Sequence, residues 1–193
     1  MARTQSTMLE LGTRAPHFSL PDPVSDRTVS LDDVADGDAL IVVFWCNHCP
    51  YVQHVEHAFL EFAREYADRG LEVVAIASND VDVYPQDGPE PMRERANEKD
   101  YPFPYLFDAT QDVAKAYRAA CTPDFFLFDG DLSLVYRGQF DDTRPAGGEL
   151  ATGEDLRAAV DAVLAGEKVP SDQTPSVGCN IKWRPGHEPE WAG

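Results

Sequence analysis

The sequence holds no run of about 18 apolar residues, the length a membrane span needs. Its first residues, Met1 to Gly12, lack the basic-then-apolar layout of a secretory signal. These two absences set the expectation of a cytoplasmic protein. Lysine is scarce, four against twelve arginines, and cations as a whole are outnumbered, 16 Lys and Arg against 34 Asp and Glu for a net charge of −18. A surface of that sign repels nucleic-acid phosphate and anionic lipid, so neither is an expected partner. The acids are spread along the chain rather than gathered in a tail. Such a surface suits a high-salt cytoplasm, and equally a GC-rich genome with a margin of solubility. Cysteine is sparse too: four in 193 residues are too few for a disulfide-built scaffold. With no internal repeat and no long linker, a chain of this length is expected to make one domain with a decorated tail.

What is present is a hydrophobic content of 43%, enough for an ordinary core. Ala39 to Trp45 is a continuous apolar run rich in β-branched residues, which predicts a strand buried on both faces. From Pro50 to Arg69 the apolar residues Val52, Val55, Phe59, Phe62 and Tyr66 recur at spacings of three and four, one face of an α-helix that Gly70 stops. Before them, Ala15 to Leu31 alternates around Ser25-Asp26-Arg27 and predicts a small β-hairpin. After them come a strand at Glu72–Ala77, a short helix at Met92–Glu98, a short strand at Phe103–Phe107, and a helix at Thr110–Ala119 with Thr110 as its cap. A hairpin follows around Asp129-Gly130-Asp131, then a last helix capped by Thr152 and ended by Gly166. Strands alternating with helices predict an α/β fold, a mixed sheet flanked by helices. The expected boundaries are an extended or disordered stretch at 1–8, the domain at 9–166, and an irregular tail at 167–193. Ile181 and Trp183 suggest that this tail docks on the domain.

Cys46-Asn47-His48-Cys49 stands where the buried strand hands over to the helix. Amide groups and the helix dipole stabilise an anion there, which predicts a lowered pKa and an attacking thiolate at Cys46. Cys49, one turn on and expected to be the more buried, is the natural resolving partner, and Pro50 is tolerated in the first helical turn. His48 either acidifies Cys46 further as a cation or simply faces solvent. Trp45, next to the nucleophile, is expected to shield it. The rival reading is metal binding. Cys46, Cys49, His54 and His57 read as C-x2-C-x4-H-x2-H, but zinc-type sites separate their ligand pairs by a longer loop. No metal and no organic cofactor is therefore expected.

Four blocks together resemble the thioredoxin-like redoxins, specifically the AhpC/TSA "peroxiredoxin-like" group with a thioredoxin-type Cys-x-x-Cys. They are Gly12-x-x-Ala15-Pro16-x-Phe18-x-Leu20, Phe44 to Val52 around the dithiol, Thr122-Pro123-Asp124-Phe125-Phe126-Leu127-Phe128-Asp129, and Pro175 to Trp183. The resemblance runs from Leu9 to Trp183. It implies a thioredoxin-like fold and an oxidoreductase exchanging disulfides through Cys46 and Cys49. It also implies a cis Pro123 against the dithiol, leaving the backbone of Thr122 free to pair with an extended substrate strand. Disulfide-bearing proteins or small thiols would be substrates, a thioredoxin-type or NADPH-linked system the reductant, and the chain a monomer or weak homodimer. Peroxiredoxins proper carry a Thr or Ser where Val43 stands, a Pro where Ala39 stands, and an arginine where Thr122-Pro123 stands. Peroxidase activity through Cys46 is therefore the alternative rather than the first expectation. A copper- or zinc-handling module is the alternative of another class. Of the remaining thiols, Cys121 lies two residues before Pro123 and Cys179 lies in the tail. They pair with each other, or Cys179 reaches the dithiol as an extra resolving thiol, or both are unremarkable.

Overall fold

The computed structural model describes residues 3–192; residues 1 and 2 of the expected N-terminal stretch lie outside them. In chain order the elements are β1 (Arg3–Gln5), the hairpin β2 (Ser19–Asp22) and β3 (Arg27–Ser30), β4 (Ala39–Phe44), α1 (Pro50–Ala67), β5 (Leu71–Ala77) and α2 (Pro89–Lys99). Then come β6 (Tyr105–Phe107), α3 (Asp112–Ala116), β7 (Cys121–Thr122), β8 (Asp124–Asp129), β9 (Leu134–Gly138), α4 (Glu154–Leu164) and β10 (Val177–Asn180).

The central sheet has the order β6-β5-β4-β8-β9. β4 runs parallel to β5 and antiparallel to β8, so the apolar run sits in the middle of a mixed sheet. All six residues of β4 are buried because both faces of the sheet are covered. Strand side chains alternate between faces. Ile41 and Val43 accordingly join the cluster of Phe59, Phe62 and Phe125, while Leu40, Val42 and Phe44 join that of Val113, Tyr117 and Phe126. Phe59 is the hub of the first cluster, with its ring 5.4 Å from Trp45, 5.3 Å from Phe125 and 5.8 Å from Phe140. The periodic stripe of α1 is what puts Phe59 there. The result is the thioredoxin-like α/β architecture with its N-terminal hairpin.

Three expectations need correction. The tail is not wholly irregular: β10 pairs antiparallel with β1 on one side and with β7 on the other, making a second, three-stranded sheet. Its strand character is dictated by these partners rather than by local pattern. The third helix begins at Asp112, after Gln111 at φ 66°, so Thr110 is not its cap. Thr152 is not the cap of α4 either. Gly153, at φ 72°, holds that position, and the amides of Thr152 and Gly153 both donate to Asp141 Oδ2 at 2.7 Å.

Candidate active site

β4 ends at Phe44 and α1 begins at Pro50, so the motif occupies the link between them. The helix cap is Cys49, not Cys46, with extended backbone (φ −73°, ψ 123°). The link is pinned on the sheet side by the Trp45 amide, which donates to Ile76 O at 2.9 Å. The Trp45 side chain turns into the core, where its indole N–H donates to the Tyr101 hydroxyl at 3.0 Å. Thr122 lies against both sulfurs: Cys46 Sγ is 3.2 Å from its Oγ1, and the Cys49 thiol donates to its carbonyl at 3.1 Å. The Thr122-Pro123 bond that follows is cis. Cys46 and Cys49 are both fully buried, so the expected difference in their exposure is absent.

The residue that organises the motif is Asp87, which the sequence reading missed. Its carboxylate is wholly buried. Oδ1 accepts the backbone N–H of Asn47 at 2.9 Å and that of His48 at 3.3 Å. Oδ2 accepts the side-chain amide of Asn79 at 2.8 Å and lies 2.5 Å from His48 Nδ1. A buried carboxylate needs such a set of donors to remain in place. The His48 ring stacks on Tyr84 at 5.1 Å and keeps a little exposure, the side chain being 13% accessible. Cys46 Sγ, a His48 ring nitrogen and an Asp87 oxygen all lie within 4.8 Å of one another. Asp87 gave no signal in the sequence: it is one acid among many in a polar, Pro-containing segment.

The electrostatics correct the expectation of an acidic Cys46. Burial pushes the Cys46 thiol well up, and its contact with Cys49 and the charge of Asp87 push it further. Cys49 is the more acidic of the pair, because the thiols of Cys179 and then Cys46 hydrogen-bond its sulfur, with a smaller contribution from the Val52 amide in the first turn of α1. Burial opposes this, as does the Thr122 carbonyl, which accepts a hydrogen bond only from the protonated thiol, while the Thr122 side chain favours the thiolate. Position adds to this: Cys49 caps the helix, whereas Cys46 stands four residues before its start and beside a carboxylate.

Cys179 thus joins the dithiol. Its partner across the β7–β10 ladder is Thr122, and it belongs to the same buried cluster as Cys46 and Cys49. Cys121 opposes Asn180 instead, and its thiol is directed at Pro123 O at 3.6 Å. Neighbouring strand residues face opposite ways, so the ladder turns Cys121 away from Cys179. The same ladder overturns the expectation of a vacant edge at Thr122, because β10 already fills it. The four-ligand metal pattern is not gathered. His54 Nε2 lies 2.8 Å from Thr143 Oγ1, and His57 is exposed beside Glu61.

With this geometry in hand, comparison with known proteins gives the class. The AhpC/TSA family profile matches residues 11–137, and the chain belongs to that family, whose members are oxidoreductases acting on thiols or peroxides. Two crystal structures are 52% identical to it. One is an uncharacterized conserved protein from Geobacillus kaustophilus, with a TM-score of 0.94, covering 96% of this chain and 98% of its own. The other is a hypothetical protein from Sinorhizobium meliloti, with a TM-score of 0.92, covering 95% of this chain and 100% of its own. The thioredoxin domain of a thiol-disulfide oxidoreductase from Bacteroides vulgatus shares the fold at 19% identity and a TM-score of 0.61, covering 81% of this chain and 99% of its own. Comparison with curated proteins finds no match. Among the described residues no helix is long and apolar enough to cross a membrane.

Proposed function

We propose that the protein is a thiol–disulfide oxidoreductase working through Cys46 and Cys49. The observation that carries this reading is that both thiols lie against Thr122 at the strand–helix junction, Cys46 Sγ 3.2 Å from its Oγ1 and the Cys49 thiol 3.1 Å from its carbonyl, beside a His48 imidazole oriented by the buried Asp87. His48 takes the proton of Cys46, as a histidine held by a carboxylate does for other nucleophiles. Cys46 attacks one sulfur of a substrate disulfide and the other sulfur leaves as a thiolate. Cys49 then attacks the Cys46 sulfur of the mixed disulfide, the second substrate thiol departs, and a Cys46–Cys49 disulfide remains. The greater acidity of Cys49 suits it to that second step. Disulfide-bearing proteins or small-molecule thiols are the proposed substrates, and a thioredoxin-type or NADPH-linked reductant closes the cycle. With the Thr122 edge occupied, approach is from the side of His48, where a polar groove lined by Asn47, His48, Gln53, Gln86 and Glu94 opens to solvent.

Peroxide reduction is the second reading, favoured by the Thr122 hydroxyl 3.2 Å from Cys46 Sγ. Cys46 would become a sulfenic acid and Cys49 would condense with it. The Asp87 carboxylate beside Cys46 weighs against it, as does the lack, among the described residues, of an arginine hydrogen-bonded to this group. Insulin reduction with dithiothreitol, run beside peroxide consumption, separates the two. Wild-type protein should accelerate the first and leave the second at background, and Cys46→Ser should lose the acceleration. Peroxide turnover that survives Cys49→Ser, with no insulin reduction, would instead establish the peroxidase.

A further inference from the structure

We infer that Cys179 is a third redox-active thiol: it exchanges with the Cys46–Cys49 disulfide, forming a Cys49–Cys179 disulfide and returning Cys46 as a free thiol. This rests on the thiol–disulfide reading above and deepens it.

The three thiols lie in one buried cluster around Thr122, and the acidity of Cys49 responds to both Cys179 and Cys46. Cys179 is brought there by strand register, opposite the Thr122 whose hydroxyl touches Cys46 and whose carbonyl touches Cys49. Opposed residues of an antiparallel pair present their side chains on the same face. The approach is close enough to demand glycine next door: a Cβ at Gly178 would stand 2.0 Å from Thr122 O. The strand is also tied to the motif by a short chain of bonds. The Lys182 amide donates to Asn79 Oδ1 at 2.8 Å, and the same Asn79 donates to Asp87, which holds Asn47 and His48. Ile181 and the Asp80 amide add bonds at 3.0 and 2.8 Å, to Ala120 O and from Asp80 to Lys182 O. A strand that fills the edge beside the dithiol, and carries a thiol at the contacting position, is placed as an internal substrate.

The exchange balances without an added oxidant. Cys179 loses its proton and its sulfur bonds to Cys49 Sγ. The Cys46–Cys49 bond breaks, its electron pair goes to Cys46 Sγ, and that sulfur takes up a proton. One disulfide is present before and after. In the reduced protein the Cys179 thiol is held protonated mainly by its hydrogen bond to Cys49. Oxidation of Cys49 removes that cause and leaves burial as the remaining one that holds the proton.

The experiment is limited oxidation of the full chain with one equivalent of diamide, alkylation of remaining thiols, and mass mapping under non-reducing conditions. A peptide linking Cys49 to Cys179, with Cys46 alkylated in the same fraction, is the expected result. Cys46→Ser should form the Cys49–Cys179 link as its sole disulfide, and Cys46→Ser combined with Cys179→Ser should form none. Gly178→Val, which forces β10 off Thr122, should lose the link and keep Cys46–Cys49. If only Cys46–Cys49 is found in wild type and Cys46→Ser keeps Cys49 and Cys179 reduced, the relay is overturned. Insulin reduction by the same wild-type sample tells that failure apart from failure of the dithiol reading itself.

Discussion

His48 Nδ1 lies 2.5 Å from Asp87 Oδ2, although 39 residues separate the two in the chain. That contact makes the partly exposed histidine of the motif part of a buried network rather than a surface side chain. The same carboxylate fixes the backbone of the motif through the Asn47 and His48 amides.

Asp87→Asn should cost stability and acidify Cys46 together. The amide keeps one oxygen for the Asn47 and His48 backbone N–H groups but turns its NH2 toward the Asn79 amide and the His48 ring, which need an acceptor, and leaving buried donors unpaired costs about 1–3 kcal/mol. The charge of Asp87 is one of the causes that push the Cys46 thiol up. Removing a neighbouring negative charge favours the thiolate. Denaturant titration should therefore show a lower midpoint. The rate of Cys46 alkylation, followed against pH, should rise at a lower pH than in wild type.

Asp124 should make the protein less stable as pH rises from about 4 to 7. It is wholly buried, and burial pushes its carboxyl up to about 7. The folded state then holds a proton that the unfolded state releases near the ordinary carboxylate value of about 4. Because the folded state binds more protons in that window, stability falls with pH and levels off above the folded pKa. The full effect is on the order of 4 kcal/mol. Urea midpoints of wild type and Asp124→Asn, compared at pH 5 and pH 8, should diverge in favour of the variant at the higher pH. Equal differences at both pH values would rule this out.

Gly153→Ala should destabilise by about 1–3 kcal/mol. The position has φ 72°, which disfavours a side chain, and a Cβ would meet the Phe140 ring at 2.4 Å. Phe140 packs on Phe59 and Phe62, so the disturbance enters the core. Thermal unfolding should show the drop, with insulin reduction at low temperature retained.

Treatment with a strong chelator should leave the melting temperature unchanged. The histidines of the C-x2-C-x4-H-x2-H pattern are committed elsewhere, His54 to Thr143 and His57 to solvent and Glu61. A fall in melting temperature that zinc restores would revive the metal reading.

The parts of this fold that were legible in sequence are those whose signal is local. The run from Ala39 to Trp45 could only satisfy its burial in the middle of a sheet, and the three-and-four spacing of Val52 to Tyr66 could only be one face of a helix. The two helix caps are not legible in sequence because they are set by backbone turns at Gln111 and Gly153, not by the nearby threonines. The strand at Val177–Asn180 carries no local signal, because four residues with a glycine show no alternation that marks a strand. Its partners supply the hydrogen bonds that define it.

The sequence by itself determined the Cys46-x-x-Cys49 pair, its place between a buried strand and a helix, and hence the redoxin fold. Each of those follows from residues that are neighbours in the chain. Only the tertiary structure decided that Asp87 orients His48, that Cys49 rather than Cys46 is the more acidic thiol, and that Cys179 completes the sulfur cluster. Those facts depend on burial and on contacts between segments 39 to 130 residues apart in sequence, as His48 from Asp87 and Cys49 from Cys179 show. A charge or a thiol takes its chemistry from what surrounds it in space, and chain order alone does not specify that.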